Sequence, residues 1–120
     1  MDDSRAFSSY SVDDVRGVKA FYEGTLGLSV TEQPEGLHID LGSGGSVFLY
    51  PKADHQPATF TVLNFRVDDI EAAVDELTGE GVVMERYAGF EQDGRGIAAG
   101  SPRIAWFKDP AGNVLSVLQV

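Results

Sequence analysis

The two histidines of this 120-residue chain are the side chains best suited to acid–base chemistry. His38 and Asp40 stand two residues apart in an alternating run, so both side chains would lie on one face of a strand. Such a pair could act as a general base with its orienting carboxylate, and the alternative is an exposed polar strand face. His55 lies between Pro51 and Pro57, where a solvated loop residue and a functional residue are both open interpretations.

Several further side chains could bind a ligand without reacting with it. Arg66 could hold a carboxylate through paired hydrogen bonds, or it could form an ion pair with one of the 19 acidic side chains. Arg95 could touch a ligand if the glycine-rich loop 89–102 covers a site. Trp106 could stack on a ligand, although we expect a core position for it. Small polar side chains that would supply hydrogen bonds in a pocket, or line a pocket filled only by water, are Ser9, Ser11, Asn64 and Ser116.

The charge balance argues against some classes of partner. Nine basic and 19 acidic side chains give a formal net charge of −10, which disfavours nucleic acid and anionic membrane surfaces and favours cationic or neutral small partners. Without cysteine, the chain has no disulfide, no thiolate nucleophile and no cysteine-bound zinc. The N-terminal residues show no secretory signal, and no apolar run approaches the roughly 20 residues of a membrane span. We therefore expect a cytoplasmic protein.

An internal repeat organises the elements that must position these residues. Segment 7–15 aligns without gaps with segment 62–70, and the offset is 55 residues. Both segments contain Val-Asp-Asp and both run into a helical pattern of apolar residues. Asp14 and Asp69 stand where they would cap these helices, and glycines at 27 and 81 stand just beyond the helix ends.

Short strand patterns follow each predicted helix. Each half therefore has the order βαβββ, and the chain is predicted to be an α+β protein with two such modules. The predicted strands after the helices are 28–33, 37–41 and 46–50 in the first half, and 82–87, 103–108 and 114–119 in the second. Neither half would bury much core alone, so we expect one domain over 1–120, with module one at about 5–50, a linker at 51–59 and module two at about 60–120.

Alternation along the strands separates a face under the helices from a face that lines a cleft. Tyr10 and Val12 are predicted to lie under the first helix, and Leu63, Phe65 and Val67 under the second. Together with His55 in the linker and Arg95 in the loop, the predicted ligand-binding cleft residues are Phe7, Ser9, Ser11, Val47, Leu49, Val62, Asn64, Arg66, Val114, Ser116 and Leu118.

These motifs, taken in order, resemble the vicinal oxygen chelate superfamily of glyoxalase I, extradiol dioxygenases and bleomycin-resistance proteins. The resemblance rests on the two Val-Asp-Asp segments, on the 21–27 segment Phe-Tyr-Glu-Gly-Thr-Leu-Gly, and on the 109–113 segment Asp-Pro-Ala-Gly-Asn. It covers nearly the whole chain. It implies paired βαβββ modules that form one open, barrel-like cleft, and it implies a homodimer.

Enzymes of this superfamily hold one divalent metal with four side chains on the first and last strands of the two modules. Carrying those positions over by motif gives Phe7, Leu49, Val62 and Ser116, none of which is a good metal ligand. Shifting each position by one residue introduces no histidine or carboxylate. We therefore expect no metal at this site and no other cofactor, which removes the usual metal-assisted mechanism.

Three functions are consistent with these observations. The resemblance favours a metal-free protein that binds a small molecule, cationic or aromatic, for sequestration or resistance. The alternative is an enzyme of the lyase, isomerase or dioxygenase type that uses metal-free acid–base residues or unusual metal ligands. Candidates for those ligands are His38, Asp40, Glu32 and Glu85. The third possibility is an interaction protein whose cleft has only a structural role.

Overall fold

The chain forms two β-sheets, each with one helix, in a computed structural model that describes residues 1–42 and 44–120. This arrangement confirms the predicted α+β class. The described residues divide into two units, Met1–Pro57 and Ala58–Val120, and the division falls inside the segment predicted as a linker.

The first unit has the predicted order βαβββ. Its elements are a short 3-10 turn Asp3–Arg5, β1 Ser8–Val12, α1 Val15–Ala20 with a wider turn Phe21–Thr25 continuing it, β2 Ser29–Gln33, β3 Gly36–Asp40 and β4 Ser46–Pro51. The strand order in the sheet is β1-β4-β3-β2. β1 and β4 run parallel, whereas β3 pairs antiparallel with both of its neighbours.

The helix of the first unit covers the sheet face that carries Tyr10. The hydroxyl of Tyr10 lies 2.8 Å from the hydroxyl of Tyr22, which belongs to the turn that continues α1. Tyr10 is opposite Leu49 in the sheet, and both side chains are buried. Val47 and Leu49 were predicted to face a cleft, and this prediction is wrong, because both lie under the helix while Phe48 and Tyr50 lie on the other face.

The second unit has fewer strands than predicted. Its elements are β5 Thr61–Arg66, α2 Ile70–Gly79, β6 Arg103–Lys108 and β7 Val114–Gln119, in the sheet order β5-β7-β6. An ion pair of 2.7 Å between Arg103 and Glu71 places α2 on the sheet face that also carries the buried Ala105 and Phe107. Within the described ranges, no helix is long and apolar enough to cross a membrane.

The ends of both helices follow the repeat. The side chain of Asp14 accepts a hydrogen bond from the backbone N–H of Arg16, and that of Asp69 accepts one from the N–H of Ala72. Both aspartates thus satisfy backbone donors that a first helical turn leaves unpaired. Gly81 follows α2 with a φ of 90°, in the left-handed region that glycine enters at little cost.

Segment 82–87 is not a strand, contrary to the prediction. The side chain of Gln92 makes hydrogen bonds to the backbone of this segment that a neighbouring strand would otherwise make. Its amide oxygen accepts from the N–H of Tyr87 at 2.8 Å, and its NH₂ group donates to the carbonyls of Glu85 at 2.9 Å and Gly96 at 2.8 Å. Ala98 occupies the edge of β6 through two backbone hydrogen bonds with Ile104. The 82–87 backbone therefore has side-chain partners rather than a continuous ladder.

Candidate functional site

Each sheet has one face that is not covered by the helix of its own unit, and we call this its helix-free face. On the first sheet, His38 and Ser9 both lie opposite Phe48, and Ser11 lies opposite Tyr50. These five side chains therefore share the helix-free face of the first sheet. Hydroxyls, two aromatic rings and an imidazole make it a surface that could hold an apolar ligand at a few polar points.

His38 and Asp40 form the pair that their spacing predicted. The Nε2 atom of His38 lies 3.0 Å from Oδ1 of Asp40, with the imidazole half-buried and the carboxylate exposed. This geometry fixes the orientation of the imidazole. The pair could accept a proton from a bound molecule, with the carboxylate stabilising the imidazolium that results.

His55 is also brought to the first sheet. Its Nδ1 atom lies 2.7 Å from the hydroxyl oxygen of Ser11, although 44 residues separate the two positions. Both were predicted as cleft residues, and the structure brings them together. The hydrogen bond ties the 51–57 segment to the end of β1, so His55 is held in place rather than left as a solvated loop residue.

The helix-free face of the second sheet joins several predicted residues in rows across three strands. Asn64 lies opposite Ser116, which lies opposite Trp106, and Arg66 lies opposite Leu118, which lies opposite Ile104. The buried hydroxyl of Ser116 donates a hydrogen bond of 2.5 Å to the amide oxygen of Asn64. The members of this face are Thr61, Asn64, Arg66, Ile104, Trp106, Lys108, Val114, Ser116 and Leu118.

An aromatic cluster stands on the helix-free face of the second sheet. The ring of Tyr87 packs edge-on against Trp106 at 5.5 Å between centroids, and the ring of Phe90 lies 5.0 Å from Trp106. Trp106 is only 9% exposed, as expected for a core residue, whereas Phe90 is 55% exposed. Burial, with a smaller effect of the Glu85 charge, raises the pKa of Tyr87 above its ordinary value of 10.0. No local pattern in the sequence predicts that Tyr87 and Phe90 contact Trp106.

Arg95 lies beside α2 rather than on a helix-free face. Its guanidinium makes two hydrogen bonds to the carboxylate of Asp75, at 2.9 and 3.1 Å. The hydrogen bond from Arg95 lowers the pKa of Asp75 below 3.8. A groove of about 410 Å³ adjoins this pair, between α2 and the segment that follows it. Arg95 is therefore engaged in an ion pair on the outer surface of the second unit.

The remaining predicted cleft residues are placed as follows. Phe7 precedes β1 and is 64% exposed. Val62 lies at a register shift between Thr61 and Leu63, where β5 carries an extra residue relative to β7. Val114 packs in a buried cluster with Trp106, on the helix-free face of the second sheet.

The residues at the superfamily's metal positions do not fit a divalent ion. Phe7, Leu49, Val62 and Ser116 offer no imidazole or carboxylate, and neither do Phe48 and Tyr50, the neighbours of Leu49 on the helix-free face of β4. Across residues 1–42 and 44–120, no three His, Cys, Asp or Glu side chains are grouped as a metal ion would require.

The alternative metal ligands are also dispersed. Glu32 lies opposite Leu37 in the sheet, so it is on the other face from His38. Glu85 belongs to the second unit and pairs with Lys108 at 3.5 Å. Within the first unit His38 and Asp40 meet, and two ligands do not make a site of this kind.

The family model of the Glyoxalase/Bleomycin resistance protein/Dioxygenase superfamily matches residues 7–117. The chain belongs to this superfamily, which confirms the resemblance of its motifs. No curated protein sequence matches the chain.

Solved structures share the fold. TnmS3, an antibiotic binding protein from Streptomyces sp. CB03234, is 27% identical, with a TM-score of 0.68 and coverage of 95% of this chain and 94% of that chain. A glyoxalase/bleomycin resistance protein from the same organism is 25% identical, with a TM-score of 0.63 and coverage of 95% and 100%. The fosfomycin resistance protein FosX from Listeria monocytogenes is 14% identical, with a TM-score of 0.72 and coverage of 100% and 95%, which shows a common fold only.

Proposed function

We propose that this chain binds a small molecule of the antibiotic class and sequesters it without converting it. The observation that carries the proposal is the chemistry of the strand positions where enzymes of the superfamily hold a metal. Phe7 and Val62, with Phe48 or Tyr50 on β4, provide apolar contact area in place of metal donors, and the buried Ser116 is bonded to Asn64. The similarity to an antibiotic binding protein at 27% identity supports this function.

Exposed aromatic side chains support binding of a flat, apolar compound. Phe7 and Tyr50 are exposed in the first unit, and Phe60 and Phe90 in the second. Aromatic rings left accessible to solvent gain free energy when a planar molecule stacks on them. The net charge of −10 additionally steers cationic compounds toward the protein as a whole. The homodimer expected from the resemblance is part of this proposal.

The experiment is equilibrium dialysis of the protein against a panel of planar aromatic and cationic antibiotics, with mass spectrometry of the recovered compound. We expect at least one compound to bind, to be recovered with its mass unchanged, and to raise the melting temperature. At a free concentration of 100 times Kd the ligand would stabilise the fold by about 2.7 kcal/mol.

Variants localise the binding to the helix-free faces. Tyr50→Ala removes an exposed ring from the helix-free face of the first sheet and should weaken binding of a compound that stacks there. Val83→Ala is the matched control, because Val83 is 76% exposed but lies outside both sheets. A panel with no bound member would contradict the proposal.

A metal-free enzyme is the second candidate, favoured by the His38–Asp40 pair and by the contact between Ser11 and His55. Its signature in the same dialysis would be a compound recovered with altered mass. Conversion should then follow a pH profile set by an imidazole and should be lost in His38→Ala or His55→Ala. If the protein only sequesters the compound, its mass is unchanged after dialysis against the wild-type protein and against both variants.

A further inference from the structure

We infer that the helix-free face of the second sheet binds the carboxylate of an aromatic acid through Arg66 and Asn64. The inference rests on the proposed binding function and names the class of ligand that this face would select. Two independent features of β5 carry it, a guanidinium without an acidic partner and an amide whose oxygen is already engaged.

Arg66 is an exposed cation with no carboxylate within 4.0 Å among residues 1–42 and 44–120. Among the other eight basic side chains, Lys19, Lys52, Arg95, Arg103 and Lys108 have acidic partners in the described part of the chain, whereas Arg5, Arg16 and Arg86 do not. With 19 acidic and nine basic side chains in the chain, acids are not scarce. Arg66 was interpreted either as a ligand-binding residue or as a member of a surface ion pair. The structure excludes the ion pair among the described residues. A free guanidinium fork matches the geometry of a carboxylate.

Asn64 supplies the second donor. The hydroxyl of the fully buried Ser116 donates to the amide oxygen of Asn64, which fixes the amide and leaves its NH₂ end for another molecule. Asn64 itself is exposed. The serine at the superfamily's last ligand position thus orients a hydrogen-bond donor instead of holding a metal.

The two donors share one face of β5. They stand two residues apart, which separates their Cα atoms by about 7 Å along a strand. The half-buried Leu118 and Ile104 extend the row of Arg66, and the row of Asn64 ends at Trp106, which lies under Tyr87 and Phe90. Donors at one edge and apolar side chains beside them suit a molecule with an anionic group on an aromatic body.

The net charge of the chain does not oppose this selection at contact distance. At physiological ionic strength the screening length is about 8 Å, so acids spread over the surface act weakly on a carboxylate that touches Arg66. The charge of −10 favours cations at long range, whereas the local guanidinium favours an anion on this face.

The test uses three probes with the same ring system: naphthoic acid, naphthamide and naphthylmethylamine. Their affinities for the full chain are measured by titration calorimetry. We expect the acid to bind about tenfold or more tightly than the amide, and the amine to bind weakest. Arg66→Gln should weaken the acid by about 10- to 100-fold, the usual cost of losing a hydrogen bond to a charged group, and leave the amide unchanged.

Two further variants test the contribution of the Asn64 amide, and a third variant serves as the control. Asn64→Asp replaces an amide NH₂ with a carboxylate oxygen and should weaken the acid more than the amide. Ser116→Ala releases the amide oxygen and should weaken the acid less than Asn64→Asp does. Arg16→Gln removes an equal charge from the exposed surface of α1 and should change the acid affinity by less than about twofold, because it acts only through screened charge.

Equal or tighter binding of the amide or the amine would overturn the inference, as would acid binding that survives Arg66→Gln. In either case, a bound antibiotic recovered unchanged would leave the proposed function standing. If no probe and no antibiotic binds, both fail together.

Discussion

The two units share their first strand and helix and diverge where the chain leaves the helix. In the first unit, β2 pairs with β3 along all five of its residues. In the second, segment 82–87 has a backbone bond to β6, from the N–H of Glu85 to the carbonyl of Trp106, and Gln92 bonds the backbone of Glu85 and Tyr87. The comparison shows that a repeated sequence pattern determines a helix start locally, whereas a strand forms only where a partner edge is available.

This divergence gives the units different helix-free faces. The first presents hydroxyls, imidazoles and exposed rings. The second presents a buried tryptophan under two aromatic rings, beside an arginine and an oriented amide. Tyr87, at the end of the irregular segment 82–87, and Phe90 pack on Trp106, and the first unit has no equivalent aromatic cluster on its described helix-free face.

Substitutions at Leu49 and Tyr50 test which face of β4 is buried, and the first should change stability more than any other variant in this section. Leu49→Ala should destabilise the protein by about 2–5 kcal/mol, because Leu49 has no exposed surface and truncation leaves a cavity. Tyr50→Ala, on the opposite face, should cost less because its ring is exposed. Urea unfolding measures both. Equal losses would place the two residues in equivalent environments and contradict the assignment of faces.

A smaller effect is expected from loss of the three hydrogen bonds that the Gln92 side chain makes in the second unit. Gln92→Ala should cost about 1–3 kcal/mol, because it removes three hydrogen bonds and leaves backbone groups of 85, 87 and 96 without them. The fluorescence of Trp106, the only tryptophan, should shift to longer wavelength as Tyr87 and Phe90 loosen. Glu91→Ala is the control, since Glu91 is exposed and adjacent. An unchanged spectrum and stability would show that Gln92 does not position the cluster.

A third effect should be the same in both units. Asp14→Ala and Asp69→Ala should each destabilise the protein by about 1 kcal/mol, the typical cost of losing a side-chain cap. Asp68→Ala, one residue before the second cap, should stay within about 0.5 kcal/mol as an exposed surface change. Chemical denaturation provides the comparison, and a cost for Asp68 that matches Asp69 would argue against capping.

The smallest effect concerns pH. Arg95 lowers the pKa of Asp75 in the folded protein, so the pair stabilises the fold above the carboxyl's ordinary value of 3.8. That contribution is lost as pH falls through the lowered folded-state pKa. Arg95→Gln should therefore lower the melting temperature slightly at neutral pH and no longer do so in strong acid. A difference that persists after the carboxylate is protonated would show another role for Arg95.

The sequence predicted the parts of the fold that depend on local chemistry. The repeat located both helix caps, and the strand pattern 114–119 matches β7 residue for residue. The faces of β4 were predicted wrongly because Val47, Phe48, Leu49 and Tyr50 are all apolar or aromatic. Alternation separates such residues into two rows but does not show which row the helix covers.

The candidate site was predictable only in part. Alternation correctly grouped Asn64 with Arg66, and Ser116 with Leu118, on one face of the second sheet. The orientation of the Asn64 amide depends on a hydrogen bond across 52 residues, which no local pattern contains. The interpretation of Arg66 likewise depended on whether an acid lies near it in space.

Nuclear magnetic resonance shift mapping would locate a bound aromatic acid on the chain. Nitrogen-15 labelled protein is titrated with naphthoic acid, and backbone, Asn64 amide and Trp106 indole signals are followed. We expect the largest shifts on the helix-free face of the second sheet, at Asn64, Arg66 and Trp106. Shifts confined to the groove beside α2, around Thr78 and Arg95, would contradict it.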